Sequence, residues 1–138
     1  MVEATLRTHV LHDLSHFGLR IVAGVLFIVH SVSKFGSGSG GFLSSIGLPA
    51  EMGLLIGILE LLGGALLIAG VLTRISGSLL AIEMLGIMVY LKKLESFSGR
   101  NGLELELLAF VILLTLIVLG PGRISVSHMI KKIPRFLQ

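Results

Sequence analysis

Two glutamates in the middle of apolar segments are the residues of this sequence best suited to chemistry. Glu60 is ninth in the apolar stretch 52–72, and Glu83 is ninth in the stretch 75–91. A charge at the centre of a bilayer costs at least about 2.5–3.5 kcal/mol, so such residues are rarely placed there without a role. Each carboxyl must be protonated, paired with a cation or turned toward a polar cavity. Glu60 is therefore interpreted as a proton donor or ligand-binding residue, with an interhelical tether as the alternative.

The first apolar segment brings an imidazole and an ammonium group to the same depth as Glu60. Phe27, His30 and Lys34 are spaced three and four residues apart, which places them on one face of a helix. His30 lies about one turn, roughly 6 Å, from Lys34. Glu60 lies roughly 12 Å from the start of its own segment, at 1.5 Å per residue. The spacing therefore predicts that His30, Lys34 and Glu60 meet in the outer half of a membrane.

Further polar residues surround this predicted cluster. Glu104 and Glu106 begin the fourth apolar segment at the same depth and could close the cluster, although an interfacial, solvated position is the alternative for both. Glu83 shares a helix face with Tyr90, and Arg74 is a candidate partner for its carboxyl. Tyr90 is expected near the outer rim, where an aromatic belt would also explain it.

The composition indicates an integral membrane protein. The 138 residues are 54% hydrophobic and only 14% charged, whereas soluble chains carry about 25% charged residues. Disorder is excluded by the same numbers. No nucleic-acid partner is expected either, because the net charge is only +3 and the basic residues lie at the ends of apolar runs.

The chain has no cysteine, which excludes disulfides and iron–sulfur clusters. Haem and metal sites are not expected either, because only His30 is clearly intramembrane, and His9, His12 and His16 are interpreted as interfacial.

The apolar stretches predict an all-α, antiparallel four-helix transmembrane bundle that forms a single domain over residues 1–138. The four predicted spans are 17–35, 52–72, 75–91 and 103–120, each near the roughly 17–25 residues that a bilayer requires. Two flanking segments have amphipathic helical spacing and are predicted to lie at the membrane interface. They contain Leu6, Val10, Leu14 and Phe17 at one end, and Met129, Ile130, Ile133 and Leu137 at the other.

The basic residues predict the orientation of the bundle in a cell membrane. Seven lie on the side of both termini: Arg7, Arg20, Arg74, Arg123, Lys131, Lys132 and Arg135. Four lie on the other side: Lys34, Lys92, Lys93 and Arg100. The positive-inside rule then places both termini in the cytoplasm. Arg20 is expected to snorkel toward the cytoplasmic interface.

The order of these motifs resembles the DoxX family. The resemblance covers about residues 15–128 and is most specific in the second span and its Thr73-Arg74 turn. It is carried by Arg20, Gly24, Phe27, His30-Ser31, Lys34, Gly47-Leu48-Pro49, Gly57, Glu60, Gly63-Gly64, Gly70, Thr73-Arg74, Gly120-Pro121-Gly122-Arg123 and Ser125. Two positions depart from the family pattern: Ser31 replaces a glycine after the histidine, and an acidic residue usual near His128 is missing.

The resemblance implies a four-helix membrane protein related to DoxD, the membrane subunit of archaeal thiosulfate:quinone oxidoreductase. It leads us to expect a membrane subunit of a quinone-linked oxidoreductase, with His30, Lys34 and Glu60 as catalytic residues. The expected quinone-binding residues are Phe27, His30, Glu60, Glu83, Tyr90 and Glu106. Electrons would come from a redox partner subunit or from a small anion such as thiosulfate, attracted by Lys34, Lys92 and Lys93. The other expected partners are membrane lipids and a second copy of the chain. The alternative function is a non-enzymatic scaffold, or a carrier of a lipid or small solute.

Overall fold

The computed structural model describes residues 10–36, 43–45, 47–99 and 102–130, and within these ranges the ordered elements are all helices. The all-α prediction is thereby confirmed. The helices are α1 (Val10–Lys34), α2 (Met52–Ala69), α3 (Thr73–Gly86), α4 (Glu104–Leu119) and a short α5 (Val126–Met129). A π-helical turn, Ile87–Leu91, continues α3.

Helices α1 to α4 form an antiparallel ring. Gly24 of α1 lies against Gly64 of α2, and Lys34 at the end of α1 lies against Gly57 near the start of α2, so the two helices run in opposite directions. Each helix packs against the next along the chain, and α1 also contacts α4. Below, the Lys34 end denotes the end of the bundle where α1 finishes and α2 begins, and the Arg20 end denotes the opposite one.

The centre of the ring is filled by apolar side chains from all four helices. Phe27, Leu67, Leu80 and Leu113 are fully buried there. The buried cluster consists of Ala23, Phe27, Leu67, Leu80, Ala81, Met84, Ala109, Leu113 and Leu116. Met84 of α3 and Ala109 of α4 are the members of this cluster nearest the Lys34 end on their helices.

The outside of the bundle carries many large apolar side chains, as a lipid-facing surface requires. Val22, Leu55, Ile82 and Val118 are among the exposed large hydrophobic residues. Among the residues that the structure describes, three stretches are long and apolar enough to cross a membrane: Val10–Lys34, Met52–Ala69 and Thr73–Leu91. The chain is thus a membrane protein whose helices suit contact with lipid. Helix α4 has 16 residues, about 24 Å at 1.5 Å per residue, and its crossing of the membrane stays a prediction.

The end of α2 is set by a glycine, and the main difference from the predicted spans is at α1. Gly70 adopts a left-handed φ of 67° and its N–H donates to carbonyls of the last turn of α2, so the helix stops there. Helix α1 begins at Val10 rather than near residue 17. The segment predicted as interfacial is, from Val10 on, a continuation of α1; Leu6 and residues 131–138 lie outside the described residues.

Arg20 does not snorkel, contrary to the sequence-based expectation. It is 1% exposed, and its guanidinium donates hydrogen bonds to the carbonyls of Pro121 and Ile124 in the chain that follows α4. Gly70 leaves the necessary space, because a Cβ there would lie 1.9 Å from the Arg20 Nη1. The side chain is drawn inward because these carbonyls lie outside any helix and need donors. Arg20 therefore joins α1 to the chain after α4.

We expect Gly64→Ala to destabilise the α1–α2 contact. A Cβ at this position would lie 2.6 Å from the backbone oxygen of Gly24, so one helix must move away from the other. The free energy of unfolding should fall by about 1–3 kcal/mol, measured by thermal or detergent-induced unfolding of the purified protein. Gly18→Ala is the control, because a Cβ at Gly18 meets nothing within 4 Å. Equal stability of the two variants would contradict this packing.

We expect Arg20→Lys to loosen the segment after α4. A lysine keeps the positive charge but not the planar pair of N–H groups that reaches two carbonyls. Leaving one buried carbonyl unpaired should cost about 1–3 kcal/mol and speed proteolysis after Gly120. Arg123→Lys is the matched control, because the 3.6 Å pair of Arg123 with Asp13 has a 61% exposed arginine and should matter by less than about 1 kcal/mol. A similar response of both variants would refute the role given to Arg20.

Candidate functional site

A cavity of about 210 Å³ lies at the Lys34 end, and all four main helices contribute to its wall. Polar groups come from α1, α2 and α4, and apolar groups come chiefly from α1, α3 and α4. The lining residues are Leu26, Phe27, His30, Lys34, Glu60, Met84, Ile87, Leu91, Leu105, Glu106 and Ala109. Phe27, Met84 and Ala109 belong both to the cavity wall and to the apolar core, so the cavity borders the core.

Glu60 and Lys34 form one charged pair of the wall. The Glu60 side chain is 0% exposed, and its Oε1 lies 3.9 Å from the Lys34 Nζ. Gly57, one turn before Glu60, allows this approach, because a Cβ there would lie 2.9 Å from the Cβ of Lys34. At 3.9 Å the two groups attract each other as charges but are too far apart for a hydrogen bond.

Lys92 and Glu106 form a second and tighter pair. The Lys92 Nζ lies 2.7 Å from the Glu106 Oε2, and the same ammonium group donates to the carbonyl of Gly102. Lys92 directly follows the π-helical turn, and its backbone N–H donates to the carbonyl of Ile87, five residues back. Sequence reasoning missed this pair. The available signal was that Lys92 ends the third apolar segment while Glu106 begins the fourth, and antiparallel neighbours bring those ends together.

Glu83 lies behind Glu60 and not on the cavity wall. The two carboxyl groups are within hydrogen-bonding range of each other, and all four carboxyl oxygens are buried without a donor among the described residues. The predicted pairing of Glu83 with Arg74 is wrong: the ion pairs within the described residues join Lys34 to Glu60, Lys92 to Glu106 and Arg123 to Asp13. The face of α3 that carries Glu83 is turned toward α2.

The remaining predicted site residues fall into two groups. Phe27 and His30 line the cavity together with Lys34, Glu60 and Glu106. Tyr90 is 77% exposed and lies outside it, and Glu104 is exposed at the start of α4. The structure thus brings five of the seven predicted residues to one cavity, and their roles in binding and catalysis stay predictions.

The arrangement suits a small ring with polar atoms at its edge. Phe27, Met84 and Ala109 supply an apolar surface, whereas His30 and Lys34 supply groups that donate hydrogen bonds. The volume exceeds the roughly 150 Å³ that holds benzene in an engineered cavity, and it is below the roughly 300 Å³ of pockets for drug-sized ligands. A ligand of one ring is therefore the appropriate size.

We expect Lys92 and Glu106 to be energetically coupled, because both side chains are largely withdrawn from solvent and their contact is short. In a double-mutant cycle of Lys92→Met and Glu106→Gln, the unfolding free energies should be non-additive by at least about 0.5 kcal/mol. Each single variant leaves one partly buried charge without its counter-charge, and the double variant removes both charges. Additive free energies would show that the pair does not hold α3 to α4.

The chain is similar in sequence to known proteins of bacteria. A protein of Bacillus subtilis named "Putative oxidoreductase CatD" is 39% identical over 100 residues, 71% of this chain and 75% of the relative. A membrane protein of Mycobacterium tuberculosis is 30% identical over 131 residues, 83% of this chain and 80% of the relative. No solved structure matches the chain. The family model DoxX matches residues 16–93, a range that includes Arg20, Glu60 with Lys34 and Glu83, and the π-helical turn. The chain belongs to the DoxX family.

Proposed function

We propose that this protein is a membrane subunit of a quinone-linked oxidoreductase and that the cavity at the Lys34 end binds a quinone head group. The observation that carries the proposal is the composition of the cavity wall, where an imidazole, an ammonium group and a buried carboxyl surround a ring-sized space with an apolar floor. Membership of the DoxX family and the oxidoreductase name of the Bacillus relative support the same class of function.

The cavity residues fit the chemical needs of a quinone ring. Its two oxygens require hydrogen-bond donors, and its faces require apolar contacts. His30 and Lys34 offer donors from α1, and Phe27 and Met84 offer apolar surface from α1 and α3. Glu60 is unusual among the wall residues because both of its carboxyl oxygens are buried without a hydrogen-bond donor within the described part of the chain. That carboxyl can take up a proton and donate it to a ligand.

A bound quinone accepts two electrons and two protons when it is reduced. His30 and Lys34 would stabilise negative charge that develops on a ring oxygen, as donors aimed at developing charge do in other enzymes. Glu60 would act as a general acid beside them. We propose that the electrons come from a redox partner subunit or from a sulfur anion such as thiosulfate, of which two ions lose one electron each as they join through a sulfur–sulfur bond.

We further propose how the bundle lies in the membrane. The distribution of basic residues favours the cell membrane with both termini in the cytoplasm, which turns the Lys34 end outward. Helix α4 would then be a fourth span, accommodated by tilt or by local thinning of the bilayer around its 16 residues. A second copy of the chain is a further proposed packing partner, and it would meet the exposed apolar helix faces rather than the glycines packed inside the bundle.

We expect His30→Ala and Glu60→Gln to weaken binding of a short-chain benzoquinone analogue. Each change removes a polar partner of the ring oxygens, and one hydrogen bond to a charged group is worth about 1.5–3 kcal/mol, so the dissociation constant should rise at least about tenfold. Isothermal titration calorimetry of the purified protein in detergent would measure the change.

Matched controls separate binding from folding in this experiment. Glu51→Gln changes an exposed glutamate just before α2, and His128→Ala changes an exposed histidine in α5. Both should leave the affinity within about a factor of two, a change smaller than 0.5 kcal/mol. If the wild-type protein binds no analogue, or if the cavity variants bind as the controls do, the scaffold or carrier function takes the place of this proposal.

A further inference from the structure

The contact between Glu60 and Glu83 has a defined place on the α2–α3 seam. Gly63 of α2 lies against Leu80 of α3, where a Cβ on the glycine would be 2.9 Å from the leucine Cδ1. Glu60 is one turn before Gly63 and Glu83 is one turn after Leu80. In an antiparallel pair these positions face each other, so the packing of Gly63 directs the two carboxyls together, in agreement with their hydrogen-bonding range.

Two carboxylates cannot hydrogen-bond to each other, because both are acceptors. The contact becomes a hydrogen bond only when one carboxyl carries a proton. Two like charges at this distance in a buried site also repel each other strongly, and the usual outcome is that the pair shares a proton. The four oxygens have no other donor among the described residues, so a shared proton satisfies them better than any available side chain.

The charges around the pair favour a single shared proton. From α1, Lys34 approaches Glu60 to 3.9 Å and contributes one positive charge; His30 lines the same cavity. From α4, Glu106 faces the cavity, but its charge is compensated by Lys92 at 2.7 Å. Two carboxyls with one proton and one ammonium group are neutral overall, which is the arrangement that costs least in a buried site.

We propose that Glu60 and Glu83 form one proton-binding site, in which a proton held between the two carboxyls is passed by Glu60 to a ligand oxygen in the cavity. The identity of the acceptor rests on the proposed function, whereas the shared proton does not. In the transfer, the O–H bond of the carboxyl breaks and an O–H bond forms on the ligand oxygen. The pair is left with two negative charges, one of them balanced by Lys34, until another proton enters. Glu83 acts through Glu60 and does not touch the ligand.

Infrared spectroscopy of the ligand-free protein in lipid nanodiscs tests the shared proton directly. The carbonyl stretch of a buried protonated carboxyl, identified by its shift in D₂O, should correspond to one group per chain at neutral pH. Glu83→Gln should abolish this band, because the amide donates to Glu60 and Lys34 then stabilises the carboxylate. Glu51→Gln, which changes an exposed glutamate of the same helix region, should leave the band unchanged.

A second variant keeps the test valid if Glu83→Gln does not fold. Lys34→Met removes the nearby positive charge, so both carboxyls should become protonated and the band should approach twice its wild-type area. Absence of the band in the wild-type protein overturns the proposal. Persistence of the band in Glu83→Gln, or an unchanged area in Lys34→Met, overturns it as well.

The outcome also distinguishes this inference from the proposed function. If the band behaves as described but the benzoquinone analogue does not bind, the proton-binding site stands and the quinone function fails. If the analogue binds and Glu83→Gln leaves the band in place, the quinone function stands and the shared proton fails.

Discussion

The structure depends on one constraint, which is that ionisable side chains inside a membrane bundle must find their partners within the bundle. At the Arg20 end the two terminal nitrogens of the guanidinium donate to backbone carbonyls. At the Lys34 end, one ammonium group pairs with Glu60 and another with Glu106. Exposed charges could turn to water, but these groups lie behind apolar helix faces, so each pair fixes how two elements of the chain approach each other.

The glycines of α2 allow the neighbouring helices to approach closely enough for these contacts to form. Gly57, Gly63 and Gly64 lie along α2 and admit Lys34, Leu80 and the backbone of Gly24 at distances that any side chain would prevent. Close packing of membrane helices through small residues is a general device. Here it has a specific result, because the same helix carries Glu60 among its glycines. The contacts that hold α2 to its neighbours therefore also set the positions of the groups around the Glu60 carboxyl.

Part of this arrangement can be predicted from the sequence and part cannot. Depth along a helix follows from residue counts, which is why the meeting of His30, Lys34 and Glu60 at one level was predictable. Rotation of a helix about its axis is set by packing contacts such as Gly63 against Leu80, and so the partner of Glu83 was predicted wrongly. The inward turn of Arg20 depends on carbonyls 101 and 104 residues further along the chain, which local patterns do not reveal.

The π-helical turn at Ile87–Leu91 makes the length of this segment as important as its composition. A hydrogen bond that spans five residues accommodates one more residue per turn than an α-helix does. If these residues formed an α-helix of unchanged length, the chain that follows would be rotated by about 100°, which would carry Lys92 away from Glu106. Loss of one residue together with the π-helical turn would leave the direction of that chain unchanged. The π-helical turn is therefore what keeps the Lys92 ammonium group in register with the Glu106 carboxyl at this end of the bundle.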